Sequence, residues 1–284
     1  MAEPPTIATL LSQGLFHHRQ GQLALAMERY SDVLRVDPEN ADALYYVAAI
    51  ACQEGQYSEG IALARRALAL GARQARVHNL LGKALERQGD HLEAVKSFDA
   101  AIAADADFAE AHGNRAAILA AASLPDEALK GFDRALALDP KATADWINRG
   151  ALLQDLGRLD EAIASYERAI ALAPENPAAH FNRADAMRAA GRPQQALAAY
   201  EQVLGLAPRM PEAQIGRAAA LRDLGRLDEA LAAAELALAA RPEMAGAHRL
   251  RGRLLEALGR AAEAKASLAK AAGLDAQAAK GTTS

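Results

Sequence analysis

The 284-residue chain carries 32 basic and 36 acidic side chains, a net charge of −4, and a single cysteine. Hydrophobic residues make up 51% of it but aromatic ones only 4%, and the thinness of strand-favouring side chains excludes an all-β fold. Lone Cys52 excludes an internal disulfide and a cysteine metal cage, and the interleaved, balanced charges exclude the basic face that nucleic acid requires.

At the N-terminus, Met1 to Phe16 carries Glu3 and no lysine or arginine, unlike the basic start of a signal peptide. No run reaches the roughly 18 apolar residues of a membrane span. The expectation is a cytoplasmic protein with no membrane insertion and no nucleic-acid partner. From residue 7 the chain repeats itself. Pro38, Pro140, Pro174, Pro208 and Pro242 are separated by multiples of 34, and Ala72, Ala106 and Ala276 fill other slots of the same series. The units, in order, are 7–40, 41–74, 75–108, 109–142, 143–176, 177–210, 211–244 and 245–278, leaving short tails at 1–6 and 279–284.

Every unit follows one plan. A first helix carries a small residue at its eighth position, for example Gly14, Ala48, Gly82 and Gly150. Glycine at the fifteenth position (Gly21, Gly55, Gly89, Gly157, Gly191, Gly225, Gly259) marks where that helix stops and turns. A second helix begins near residues such as Pro125 and Pro193 and keeps apolar residues at helical spacing, as in Leu159, Ile163, Tyr166 and Ile170. The twentieth position is alanine in all units but one, where it is Gly60, so the two helices must cross closely. Asn40 and Asn176 stand where the next first helix needs an N-cap.

The small eighth and twentieth positions, the aromatic twenty-fourth (Tyr30, Phe98, Phe132, Tyr166, Tyr200), the alanine at the twenty-seventh and the late proline together resemble the tetratricopeptide repeat (TPR) family. The resemblance implies an all-α, right-handed TPR superhelix, an α-solenoid of about sixteen antiparallel helices. The aromatic that this family often has at the fourth position survives only as Trp146. His78, His112, His180 and His248 stand in four other units and read as filler at a half-buried slot.

The repeats also align with one another. The seventh position is Arg115, Arg149, Arg183, Arg217 and Arg251 in units four to eight, and the twenty-fifth is Asp99, Asp133, Glu167, Glu201 and Glu235 in units three to seven. Each acid precedes its arginine by 16 residues, across a unit boundary, which predicts five structural inter-repeat pairs. Breaking one would cost on the order of 3 kcal/mol if half buried and well under 1 if exposed. In the last unit Lys265 and Ala272 replace apolar residues, so the final helix reads as a polar cap followed by a frayed tail.

No motif of a reactive centre is present: no Gly-Lys-Ser/Thr phosphate loop, HExxH, GxSxG or CxxC. The chain is therefore expected to be non-catalytic, without metal or cofactor, and to bind a protein or peptide segment. In the TPR family the first helices line a concave groove. Carried over, its partner-binding candidates are Tyr45, Asn79, Lys83, Asn114, Ile147, Asn148, Phe181, Asn182, Ile215, Arg222, Arg249 and Arg253, with an apolar floor from Ile147 to Ile215. Asn114, Asn148 and Asn182 share the sixth position and resemble the asparagine ladder of O-GlcNAc transferase TPR arrays. Only Asn79 and Lys83 approach the basic-and-amide pattern of chaperone-tail TPR domains, and their neighbours do not complete it. Two other readings keep the fold: a recruitment module for a glycosyl- or sulfotransferase, and weak self-association of one copy's end with another's groove.

Overall fold

A computed structural model of the chain describes residues 5–72 and 74–281; most of the expected N-terminal tail and residues 282–284 of the C-terminal one lie outside them. The described residues form helices and turns and no strand. In chain order the helices are α1 (Ile7–Arg19), α2 (Leu23–Val36), α3 (Ala41–Gln53), α4 (Tyr57–Ala69), α5 (Gln74–Arg87), α6 (His91–Ala104), α7 (Ala109–Ala121) and α8 (Pro125–Leu138). They continue as α9 (Thr143–Asp155), α10 (Leu159–Leu172), α11 (Pro177–Ala189), α12 (Pro193–Leu206), α13 (Pro211–Asp223), α14 (Leu227–Ala240), α15 (Ala245–Ala257) and α16 (Ala261–Gly281). They fall into two compact units, Met1–Ala142 and Thr143–Ser284. Within each, every helix packs on the next, and odd-numbered helices also touch one another, as α3 with α5, α5 with α7 and α11 with α13.

Close crossing of the two helices in a repeat comes from the small eighth and twentieth residues. Ala26, Ala94, Ala128, Ala162, Ala196 and Ala230 have no exposed surface. Tyr30, Phe98, Phe132, Tyr166 and Tyr200 are equally buried, and their rings lie flat against the opposite helix. A Cβ added at Gly82 would sit 2.6 Å from Cε1 of Phe98, and one at Gly150 would sit 2.6 Å from Cε1 of Tyr166. Burying each ring contributes about 2–3 kcal/mol, and for Tyr30, Phe98 and Tyr166 the space is left by Gly14, Gly82 and Gly150.

The turn between the paired helices is equally demanding. At the fifteenth position glycine adopts φ between 71° and 83°, and the amide of the residue after it bonds back to the helix, as Arg158 N–H to the Leu153 carbonyl at 2.8 Å. The fourth unit has Ser123 there at φ 61°. Between units, Asp37, Asp105 and Asp139 accept the backbone N–H two residues on at 3.0–3.2 Å. Asn40 caps α3 by accepting from Ala43 N–H at 3.0 Å, and Asn176 caps α11 by accepting from Ala178 N–H at 3.0 Å. At the C-terminus α16 runs on through Gly281, so residues 279–281 are helical where a frayed tail was expected. An ion pair from Arg249 to Asp275 at 2.6 Å ties its end to α15.

Two substitutions test this packing, read as shifts of the urea-unfolding midpoint. Ser123→Gly removes a left-handed serine and is expected to stabilise by about 0.5–1 kcal/mol. Gly82→Ala drives a methyl into the Phe98 ring and is expected to destabilise by about 1–3 kcal/mol.

Candidate functional site

Three of the four histidines at the fourth position, His112, His180 and His248, are not filler. Nε2 of His112 donates to the Ala106 carbonyl at 3.0 Å, that of His180 to Pro174 at 2.8 Å and that of His248 to Pro242 at 2.9 Å. Each stitches the start of a first helix to the turn before it. The sequence signal was the recurrence of histidine as the fourth residue of the turn-following helix, always six residues after the carbonyl it meets.

Of the four expected inter-repeat pairs that lie within one compact unit, three close. Arg115 Nε donates to Asp99 at 2.6 Å, Arg251 reaches Glu235 at 3.1 Å, and Arg217 lies 3.7 Å from Glu201. Their acids are about half exposed, so each pair contributes under about 1 kcal/mol. Arg183 departs from the pattern: its guanidinium donates to Gln202 at 2.9 Å instead of meeting Glu167, because the neighbouring amide on α12 offers an acceptor. Arg149 and Asp133 belong to different compact units; within its own, Arg149 donates to Ser165 Oγ at 2.8 Å. The helix-opening acids find nearer partners. Arg158 grips Glu161, Arg226 grips Glu229 and Arg260 grips Glu263 through both carboxylate oxygens at 2.6–2.7 Å, holding those carboxyls below their usual range.

The inner face of the first unit holds a cleft of about 670 Å³ between α3, α5 and the start of α7. Its apolar wall is Tyr45, Ala49, Tyr57, Leu80 and Phe108. Its polar wall comes mainly from α5: Arg76, Asn79, Lys83 and Arg87, with Glu110 opposite. Lys83 Nζ is paired to Glu110 at 2.8 Å, whereas Arg76 and Arg87 are exposed and make no ion pair among the described residues. Asn79 is only 5% exposed and its Oδ1 accepts from the Asn114 side chain at 3.1 Å. Its amide nitrogen has no hydrogen-bond partner among the described residues. Asn114, expected as a free rung of a ladder, is thus engaged with Asn79. Cys52 also borders the cleft, half-buried, and burial pushes its thiol up despite nearby Lys83. Sequence reasoning named Tyr45, Asn79 and Lys83 here but missed Arg76, Arg87, Tyr57 and Phe108. A signal was present: Arg76 is the only basic residue at the second position of any unit.

The second unit presents a different inner face. Asn148 is exposed, Ile147 and Asn182 are half-buried, and Phe181 and Ile215 lean on the core, the Phe181 ring 6.0 Å from that of Tyr200. The expected apolar floor is therefore partly consumed in packing. Most of the charges there satisfy one another. Tyr200 donates its hydroxyl to Asp185, Arg188 lies 3.5 Å from Asp223, and Arg222 pairs with Asp223 at 2.7 Å. Arg249 is held by Asp275, and Arg253 is exposed. Among the described residues no cluster of histidine, cysteine and carboxylate side chains could hold a metal, and no helix is long and apolar enough to cross a membrane.

Models of the tetratricopeptide repeat match residues 17–84 and, in overlapping stretches, 79–143, 147–211, 188–245 and 215–279. The chain belongs to the tetratricopeptide repeat family. A search of curated protein sequences returned no match. Among solved structures, this TPR chain is similar to YrrB, described as a TPR protein with an unusual peptide-binding site, at 20% identity and TM-score 0.55 over 65% of this chain and 95% of that one. It is also similar to PilF of Pseudomonas aeruginosa, at 22% identity and TM-score 0.59 over 68% and 88% of the two chains. A TPR protein of Parabacteroides merdae matches at 17% identity and TM-score 0.59 over 88% of this chain and 98% of that one. Likeness at these identities shows the fold.

Asp185 supplies a pH test. Burial raises its carboxyl above the usual range, only partly offset by the Tyr200 hydroxyl and the Arg188 guanidinium. The folded chain therefore holds that proton more tightly than the unfolded one, and this site favours folding more as pH falls through its folded value towards the unfolded one. Asp185→Asn keeps an acceptor for Tyr200 and is expected to raise stability at neutral pH by up to about 1 kcal/mol, with a gain that shrinks at acidic pH in denaturation series.

Proposed function

We propose that this TPR chain is a non-catalytic interaction scaffold that holds a polypeptide segment of a partner protein against the inner face of its first unit. The observation that carries the reading is the cleft between α3 and α5, where a wall of Tyr45, Leu80 and Phe108 faces a row of side-chain donors. Apolar walls with a few convergent polar groups suit a bound chain: side chains enter the apolar part and main-chain or side-chain oxygens meet the donors. The peptide-binding site named for YrrB lies on a similar fold and supports the same reading. The second unit, whose inner charges are mostly paired, provides the internal control.

A display library of random peptides of about 12 residues, long enough to cross three first helices in extended form, tests it on the full-length chain. Enrichment of a peptide family is expected, lost when Ala49→Trp fills the cleft and kept with Phe181→Ala, both variants melting as cooperatively as the parent. Enrichment indifferent to Ala49→Trp, or absent altogether, would contradict the proposal.

A further inference from the structure

We infer that the segment held in the first-unit cleft is acidic, with two carboxylate side chains about five residues apart flanking a bulky apolar residue; this rests on the reading of the cleft as a peptide site. The evidence is the layout of α5. Lys83 and Arg87 follow Arg76 by seven and eleven residues. At about 100° per residue both fall within about 20° of Arg76 around the helix, so the three cations form one stripe. The stripe spans about 16 Å at 1.5 Å per residue. An extended chain covers that length in about five residues.

The charge is open to a ligand. The cleft is lined by three cations against one carboxylate, Glu110, in a protein whose net charge is −4. Glu110 is committed to Lys83, in the middle of the stripe, which leaves Arg76 and Arg87 at its two ends without a partner among the described residues. A guanidinium takes a carboxylate through two parallel N–H donors. Asn79 adds an independent sign. The residue is 5% exposed, its oxygen is used by Asn114, and its amide N–H groups border the cleft unspent. Those N–H groups can donate to an acceptor oxygen that enters the cleft. Arg76, Asn79, Lys83 and Arg87 are all donors, so the surface selects an acceptor-rich, negatively charged occupant. Between the arginines, Tyr45 and Leu80 offer an apolar wall, to which the side chain between the two carboxylates fits.

The same features argue for a peptide over a compact anion: the two free arginines are separated by the full length of the cleft, farther than one phosphate or carboxylate can bridge. A chain with carboxylates at both ends and an apolar residue between matches all three parts at once.

Fluorescence anisotropy on the full-length chain tests this with labelled peptides of about nine residues: one with two glutamates about five apart flanking a phenylalanine, its glutamine counterpart and its lysine counterpart. The glutamate peptide is expected to bind at least about tenfold tighter than the glutamine one. Its affinity should fall several-fold as salt rises from about 0.05 to 0.5 M, as screening requires. Arg76→Glu/Arg87→Glu should abolish the preference and Arg76→Lys/Arg87→Lys should retain most of it, with melting temperatures unchanged. Equal binding of the glutamate and glutamine peptides, lost with Ala49→Trp, would overturn the acidic assignment while leaving the peptide site intact. Binding of none of the three, with no peptide enriched from the library, would overturn both. Tighter binding of a short RNA or of inorganic phosphate than of the glutamate peptide would overturn the choice of a peptide.

Discussion

Close approach of the two helices within each repeat is the constraint from which the rest follows. A small eighth residue and a small twentieth one leave a gap that a ring or leucine at the twenty-fourth position fills in most repeats, Ala64 and Ala234 standing there in the other two. With each helix pair packed closely, successive first helices come side by side, as α3, α5 and α7 do. Their inner surfaces then become a continuous display. The core is made of alanine and a few rings, which explains how a chain with 4% aromatic residues can still bury large side chains where they are needed.

On that common frame the two compact units carry contrasting chemistry. In the second, inner-face ions are consumed internally: Asp223 serves both Arg188 and Arg222, and Asp185 serves Tyr200. Those contacts stiffen the face and lower its appetite for a charged ligand. In the first, Lys83 on α5 is paired with a carboxylate, and the arginines on either side project from a helix whose other flank is packed. A scaffold of this kind localises function by deciding which of its charges stay unmatched. The salt-bridge ladder contributes little energy per rung because its acids are half in water, and its arginines act mainly as aliphatic cover between units.

The fold was legible because the signals for it repeat. Gly82, Ala94 and Phe98 have counterparts at the same places in most units, so each reinforces the others. The site was legible only in part. Tyr45, Asn79 and Lys83 could be placed on the inner face by periodicity, yet their partners could not. Whether Asn114 is free or bonded to Asn79 depends on side-chain reach across two helices, and Arg183 choosing Gln202 over Glu167 depends on local geometry of the same kind. The histidine stitches escaped notice for another reason: they join a side chain to a backbone carbonyl, and a carbonyl leaves no mark on the sequence. Arg76 and Arg87 escaped because repeat averaging rewards what recurs, whereas a binding site is where a unit departs from its siblings.

The most direct measurement is nuclear magnetic resonance mapping on the isotope-labelled full-length chain during titration with the glutamate-flanked peptide. The account predicts the largest perturbations at the Asn79 side-chain amide, at the Arg76 and Arg87 guanidinium N–H groups, and along the inner faces of α3 and α5. Perturbations concentrated on the even-numbered helices or on the second unit, with the Asn79 amide unmoved, would contradict it.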